Sequence, residues 1–406
     1  MKRKRNVGVG VALMTLIAAL GVGQAALEKT AVAQSGVQAP MFEVDPLWPK
    51  PLPNHWVLGS TIGVWADAQD HVWIIHRASS LAAGETRLDA DPPTGECCAA
   101  APPVLEFDQD GNLLRHWGGP GPGYDWPQSN HGIFVDHLGN VWIGGNGGGD
   151  AHVLKFTQDG MFLSQFGLSD ARRVSGAGDD ARYVGDSNDQ GSYGRVAKIF
   201  VDANTNEVYL ADGYLNKRVA VLDAETGMMK RYWGAYANTP DDRDLGPFDP
   251  EAPPPQQFGN PVHCADLAND GLLYVCDRPN NRIQVFTKEG EFVKEVFIQR
   301  QPGFASAWDV AFSRDPEQRF LYLADSPNAK VHILLRETLE ELTSFGDGGR
   351  QPGQFYGVHS IATDSRGNIY TTETFEGKRV QKFVYKGMGP VTSRNQGAVW
   401  PTTSSR

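Results

Sequence analysis

The sequence predicts an all-β fold, a single six-bladed β-propeller. Three observations predict it. One short pattern of residues is written six times along the chain. Within each copy, short apolar runs are separated by turns of Gly, Asp and Asn, the signature of strands and tight turns. The copies recur about every 45 to 69 residues, an interval that holds four short strands. One such unit cannot bury both faces of its own sheet, so the copies must pack around a common axis.

The clearest copy spans 260–286. An apolar strand opens on His263, Asn269-Asp270-Gly271 turn the chain, a second strand ends at Asp277-Arg278, and a third ends at Phe286. In the first copy 62–67 is followed by 72–77 and, after an insertion, by 104–111. The second uses 131–136, 141–142 and 153–160, and the third 197–202, 208–209 and 218–223. The fifth opens at Trp308 and continues at 321–322; the sixth uses 359–364, 369–370 and 379–383. Phe166-Gly167, Trp233-Gly234 and Phe345-Gly346 close three outer strands. The stretches 79–103, 168–195 and 235–258 read as loop insertions.

These elements divide the chain into four segments. Residues 1–33 read as a signal peptide: Lys2-Arg3-Lys4-Arg5, an uncharged apolar run over 7–22, and small residues Ala31-Val32-Ala33 at a cleavage site, with Gly23-Gln24-Ala25 as a second candidate. A membrane anchor is the competing reading, but the run is short for a span and no second apolar segment follows. Residues 34–57 read as an extended segment with a strand at 41–44, 58–386 as the propeller, and 387–406 as a polar tail expected to fray. The expected location is secreted or periplasmic, with no membrane span left after cleavage.

Cleavage after Ala33 removes five Lys/Arg and one Glu, taking the net charge from −11 to −15. That balance argues against a nucleic-acid partner. Export permits disulfides. In the hairpin centred on Asp270, Cys264 faces Cys276 and residue 262 faces 278, so the two cysteines are spaced for a disulfide; two buried thiols are the alternative. Cys97-Cys98 lies in a Pro/Ala-rich insertion.

Aligned on the first strand, the opening position reads Ile62, His131, Ala197, His263, Trp308, His359. The first strand of a propeller blade lines the channel, so His131, His263 and His359 alternate around the axis. Three imidazoles converging there make a zinc site with an open fourth position; water-bound channel histidines are the bland alternative. Arg77 and Arg278 end second strands, and Tyr214 follows one, so all three border the same mouth. Two guanidinium groups beside a metal suit an anionic substrate, and a tyrosine there is a candidate base. Each Arg could instead pair with a strand-end acid: Asp212, Asp277, Asp325 or Glu373.

The outer-strand endings match NHL-type propeller repeats, and the site residues resemble the lyase half of peptidylglycine α-amidating enzymes. The resemblance rests on His131-Gly132-Ile133, Val262-His263, Val358-His359-Ser360, on the segments 212–218 and 277–286, and on His76-Arg77. It implies zinc on His131, His263 and His359, Tyr214 as catalytic base, and Arg77 and Arg278 holding a carboxylate-bearing substrate. In that family a peptide ending in α-hydroxyglycine is split into an amidated peptide and glyoxylate. Two positions depart. Gly357 stands where the family has Met, and Ser360 where it has an Asp serving a structural calcium. The expectation is therefore a monomeric zinc lyase acting on a peptide or small molecule with an anionic group. A non-catalytic propeller binding a peptide, glycan or protein, and a metal-dependent hydrolase, are the alternatives.

Overall fold

The structure, a computed structural model, describes residues 36–299 and 305–401. The expected signal peptide lies outside them. Six four-stranded antiparallel sheets are present among the described residues. Their inner strands are Ser60–Ala66, Asn130–Val135, Val196–Asp202, Val262–Leu267, Asp309–Phe312 and Val358–Thr363. Each inner strand touches the next, and the sixth touches the first, so the blades close a ring.

The repeated pattern has a mechanical cause. The Asp that follows an inner strand collects the donors of the turn. Asp136 accepts from the backbone N–H of Leu138 and Asn140 and from Trp142 Nε1 at 2.9 Å. Asp67 does the same with Gln69, His71 and Trp73 Nε1. In the sixth blade Asp364 accepts from Asn368 and from the Tyr370 hydroxyl. The aromatic opening the second strand is thus tied at its polar tip while its body is buried. Trp73, Trp142 and Tyr370 are all fully buried. Burying such a ring is worth about 1.5–3 kcal/mol or more, provided that its polar atom keeps a partner.

The core is divided among the blade interfaces. Ile62, Ile75, Ile133 and Ile143 fill the gap between blades one and two; Tyr209, Val221, Val262 and Val275 fill that between three and four. The sixth blade is completed from the other end of the chain. Gln38–Asp45 pairs with Arg379–Pro390 as its outermost strand, and Phe42 and Val44 are buried against blades five and six. The extended segment thus belongs to the propeller.

The expected frayed tail differs as well. Residues up to 390 are strand, Val391 is buried, and the backbone bonds Val44 N–H to Val399 O and Gly346 N–H to Gly397 O are both 2.8 Å. Polar composition misled because an outer strand exposes alternate side chains while its backbone does the ordering. Of the insertions, Arg173–Ser175 pairs with Arg182–Tyr183, and Trp56–Val57 pairs with Ala99–Ala100.

Two disulfides are formed, Cys264–Cys276 and the adjacent pair Cys97–Cys98. No helix of the described residues is long and apolar enough to cross a membrane.

Candidate metal centre

A bulge aims the central side chains. In five blades the pairing of inner and second strands slips by one residue, between Thr61 and Gly63, His131 and Ile133, Val196 and Lys198, Val262 and Cys264, and Val358 and Ile361. The slip falls on or beside the opening position of each copy. A bulge bends the strand and re-aims one side chain. It also corrects one expectation: Val262 faces Asp277, not residue 278, because His263 is the extra residue, while Cys264 still faces Cys276 beyond it. In the second blade the slip uses Gly132, at φ 70°; a Cβ there would lie 2.7 Å from Ala197 O.

The three histidines converge. Their ring centroids lie 4.8 to 5.2 Å apart, and their ligand nitrogens lie within 4.8 Å of one another. Each ring is oriented by the blade that follows it. His131 Nδ1 meets Ala197 O at 2.6 Å, and His263 Nδ1 meets Trp308 O at 2.5 Å. His359 Nδ1 meets Ser360 Oγ at 3.0 Å, which in turn donates to Ile62 O at 2.9 Å. The apolar residues between the histidines therefore serve through their carbonyls.

These contacts fix the protons. A carbonyl only accepts, so His131 and His263 carry hydrogen on Nδ1. Ser360 spends its hydrogen on Ile62 O and accepts from His359 Nδ1. All three Nε2 atoms are thus left with lone pairs. Burial, the largest cause in each case, drives all three imidazoles well below their ordinary pKa; Arg77 adds to this at His131 and Arg278 at His263. Neutral rings with Nδ1 held by a carbonyl are the state in which imidazole binds metal.

The expected mouth residues come together above them. The Tyr214 hydroxyl lies 3.1 Å from His131 Nε2 and 3.0 Å from His263 Nε2, and it accepts from Arg278 Nη1 at 3.2 Å. It has one hydrogen for two lone pairs. The Arg278 guanidinium lies over two aromatic rings, 4.4 Å from the Trp308 centroid and 5.4 Å from that of Tyr214. Arg77 donates to Asn130 O at 3.2 Å and to Asn146 Oδ1 at 2.8 Å. Burial lowers its pKa, with Tyr214 and Asp150 opposing. Among the described residues neither Arg77 nor Arg278 has a carboxylate partner, and Arg278 Nε is buried without any partner. His76 stays out of the site: its Nδ1 accepts from Gly59 N–H and its Nε2 donates to Pro102 O.

A second polar layer, which sequence reasoning missed, lies just below. Lys198 Nζ sits between Asp266, at 3.0 Å, and Asp309, and the other Asp309 oxygen accepts from Ile361 N–H. Burial depresses the Lys198 pKa, but the two carboxylates outweigh it and the net shift is upward. A lone Lys inside the apolar run 196–202 was the available signal. This layer bears on calcium. Ser360 has spent its hydroxyl, and the axial carboxylates are engaged by Lys198, so the residues do not fit a calcium ion beside the last His. Gly357 has a local reason too. A side chain there would meet Phe375 at 3.2 Å, and that ring faces Trp308 across 6.3 Å.

Residues 262–286 match the profile of the NHL repeat. This chain is a six-bladed β-propeller with an NHL repeat in its fourth blade. The propeller is 24% identical to NHL repeat-containing protein 3 of Mus musculus over 321 residues, 74% of this chain and 71% of that one. It is 27% identical to peptidyl-glycine alpha-amidating monooxygenase B of Xenopus laevis over 167 residues, 41% of this chain and 16% of the amphibian enzyme. The mouse amidating monooxygenase is 26% identical over 167 residues, 14% of its length. A solved streptogramin B lyase structure aligns with a TM-score of 0.49 at 13% identity, over 86% of this chain and 98% of that one.

Proposed function

We propose that this propeller is an exported zinc lyase of the amidating-lyase type, cleaving the C–N bond of a small α-hydroxy compound that bears a carboxylate. One observation carries the reading: three imidazoles of fixed tautomer turn their lone pairs to one point, beneath two arginines without an acid partner. Three neutral nitrogens with a fourth side open suit zinc in its catalytic form. Similarity to amidating enzymes supports the same reading. Zinc on His131, His263 and His359 would act as a Lewis acid toward the substrate hydroxyl.

The chain's own residues supply the rest. Arg77 and Arg278 bind the substrate carboxylate, and the two-pronged geometry of a guanidinium fixes its orientation. Trp308 and Tyr214 hold Arg278 through cation–ring contacts. Tyr214, once it has given up its own hydroxyl hydrogen to solvent, receives the proton of the α-hydroxyl and returns it to the departing amide nitrogen. The C–N bond breaks as the C=O bond forms, and Tyr214 ends in its starting state. The products are an amide and an α-keto or aldehydic acid.

The test begins with metal content by mass spectrometry, wild type beside His131→Ala. About one zinc per chain, lost in the variant, is expected for a three-His site. An α-hydroxyglycine peptide should then release glyoxylate, and Tyr214→Phe should slow this by about 10²–10⁴-fold. Absence of metal in both proteins after incubation with zinc would leave a propeller that binds a partner on one rim. Solvent oxygen in the amide-side product would mark a hydrolase.

A further inference from the structure

The mouth holds a third arginine that the reaction above leaves unused. Arg195 immediately precedes the inner strand Val196–Asp202. Its backbone is fixed on both sides: its N–H donates to Asp150 O at 3.1 Å, and its carbonyl accepts from Tyr214 N–H at 3.2 Å. Its guanidinium has little to do. One long bond reaches Gly148 O at 3.4 Å, the Tyr183 ring lies 5.5 Å away, and Nε is buried with no partner. Among the described residues no carboxylate pairs with it. Asp150 is near, but its oxygens already accept from the backbone N–H of Gln128, Ser129 and Gly147. Arg77 grips the same turn from the other side through Asn146.

Arg195 also costs the fold something. Its φ is 65°, in the left-handed region that Gly or Asn enters easily. Such a conformation persists where the surroundings hold it, here the backbone bonds to Asp150 and Tyr214. The matching positions of blades one and two are Ser60 and Ser129, so the propeller does not need an arginine here. An underused guanidinium on the 146–150 turn, which Arg77 also grips, has the chemistry of an anion receptor.

We infer that Arg195 recognises a second carboxylate, carried on the acyl side of the substrate, so that the preferred substrate is a dianion. This rests on reading the mouth as the substrate site, but not on the reaction performed there. The test uses unreactive ligands lacking the α-hydroxyl. Titration calorimetry compares N-succinylglycine with N-butyrylglycine, and N-glutarylglycine with N-valerylglycine, on the intact protein. In at least one pair the dicarboxylate should bind about tenfold tighter, as a charge-assisted contact predicts. Arg195→Ala should erase that difference and Arg195→Lys keep part of it, while Arg278→Ala weakens every ligand.

Equal affinities within both pairs, or a difference that survives Arg195→Ala, would overturn the inference; so would failure of all four ligands to bind. Turnover is scored separately with N-butyryl-α-hydroxyglycine. A dicarboxylate preference without turnover keeps Arg195 as an anion receptor and removes the lyase. Turnover without the preference does the reverse.

Discussion

Basic side chains occupy two settings in this propeller, a single residue apart in the hairpin. At the blade corners the acid ending a second strand is paired with a base in the third. Asp212 holds Arg218 at 2.8 Å, Asp277 holds Arg282 at 2.8 Å, Glu373 holds Arg379 at 2.5 Å, and Asp325 holds His332 at 3.0 Å. Three of these pairs sit directly opposite each other in the strand register. Arg278 comes one position after Asp277 and is left to the mouth. The four acids that could have neutralised Arg77 or Arg278 are therefore already engaged. Inside one blade, register decides which cation braces the fold and which stays available to a ligand.

That contrast can be tested by removing one cation of each kind. Arg282→Ala leaves Asp277 fully buried and unpaired, and should cost about 3–5 kcal/mol in chemical denaturation. Arg278→Ala should lie within about 1 kcal/mol of wild type in the same experiment, because no buried acid loses its partner. A loss at Arg278 as large as at Arg282 would erase the distinction.

The fifth blade offers a sharper version, since its corner cation titrates. Burial lowers the His332 pKa, but Asp325 and Glu341 outweigh it and raise it from 6.5 to about 9. A folded-state pKa above the unfolded one gives stability that is complete below pH 6.5 and lost as pH rises toward 9. Unfolding free energy should fall by up to roughly 3 kcal/mol across that window. His332→Arg, which keeps its charge, should flatten that part of the profile. The mouth gives a smaller effect than the corner pair. Without metal, His131→Ala should cost about 1–3 kcal/mol, because the buried Ala197 carbonyl loses its donor.

Much of this was legible in the sequence because propellers repeat. Six copies gave a frame, and the frame put His131, His263 and His359 in equivalent places, where the structure brings them within ligand distance of one another. The same frame put Tyr214 and Arg278 at one mouth, and they meet at 3.2 Å. What escaped was whatever the repeat does not encode. The bulge at His263 shifts the register by one residue without altering the hydrophobic pattern. The ring-orienting partners are backbone carbonyls of Ala197 and Trp308, which no side-chain motif can report. Lys198 and Asp309 meet across the axis from different blades, 111 residues apart. Arg195 lies outside the aligned strands altogether.

The sixth blade has a consequence for how the molecule is made. Its outermost strand, Gln38–Asp45, is the first described strand, and its partner Arg379–Pro390 is the last. A chain delivered N-terminus first must hold that early strand unpaired while five blades form behind it. Ring closure is then the final event, dependent on the longest-range contact in the molecule, and contacts of that kind are slow to form. The early strand meanwhile presents an open sheet edge, so premature pairing with another chain's Arg379–Pro390 would yield linked propellers, each completing its neighbour.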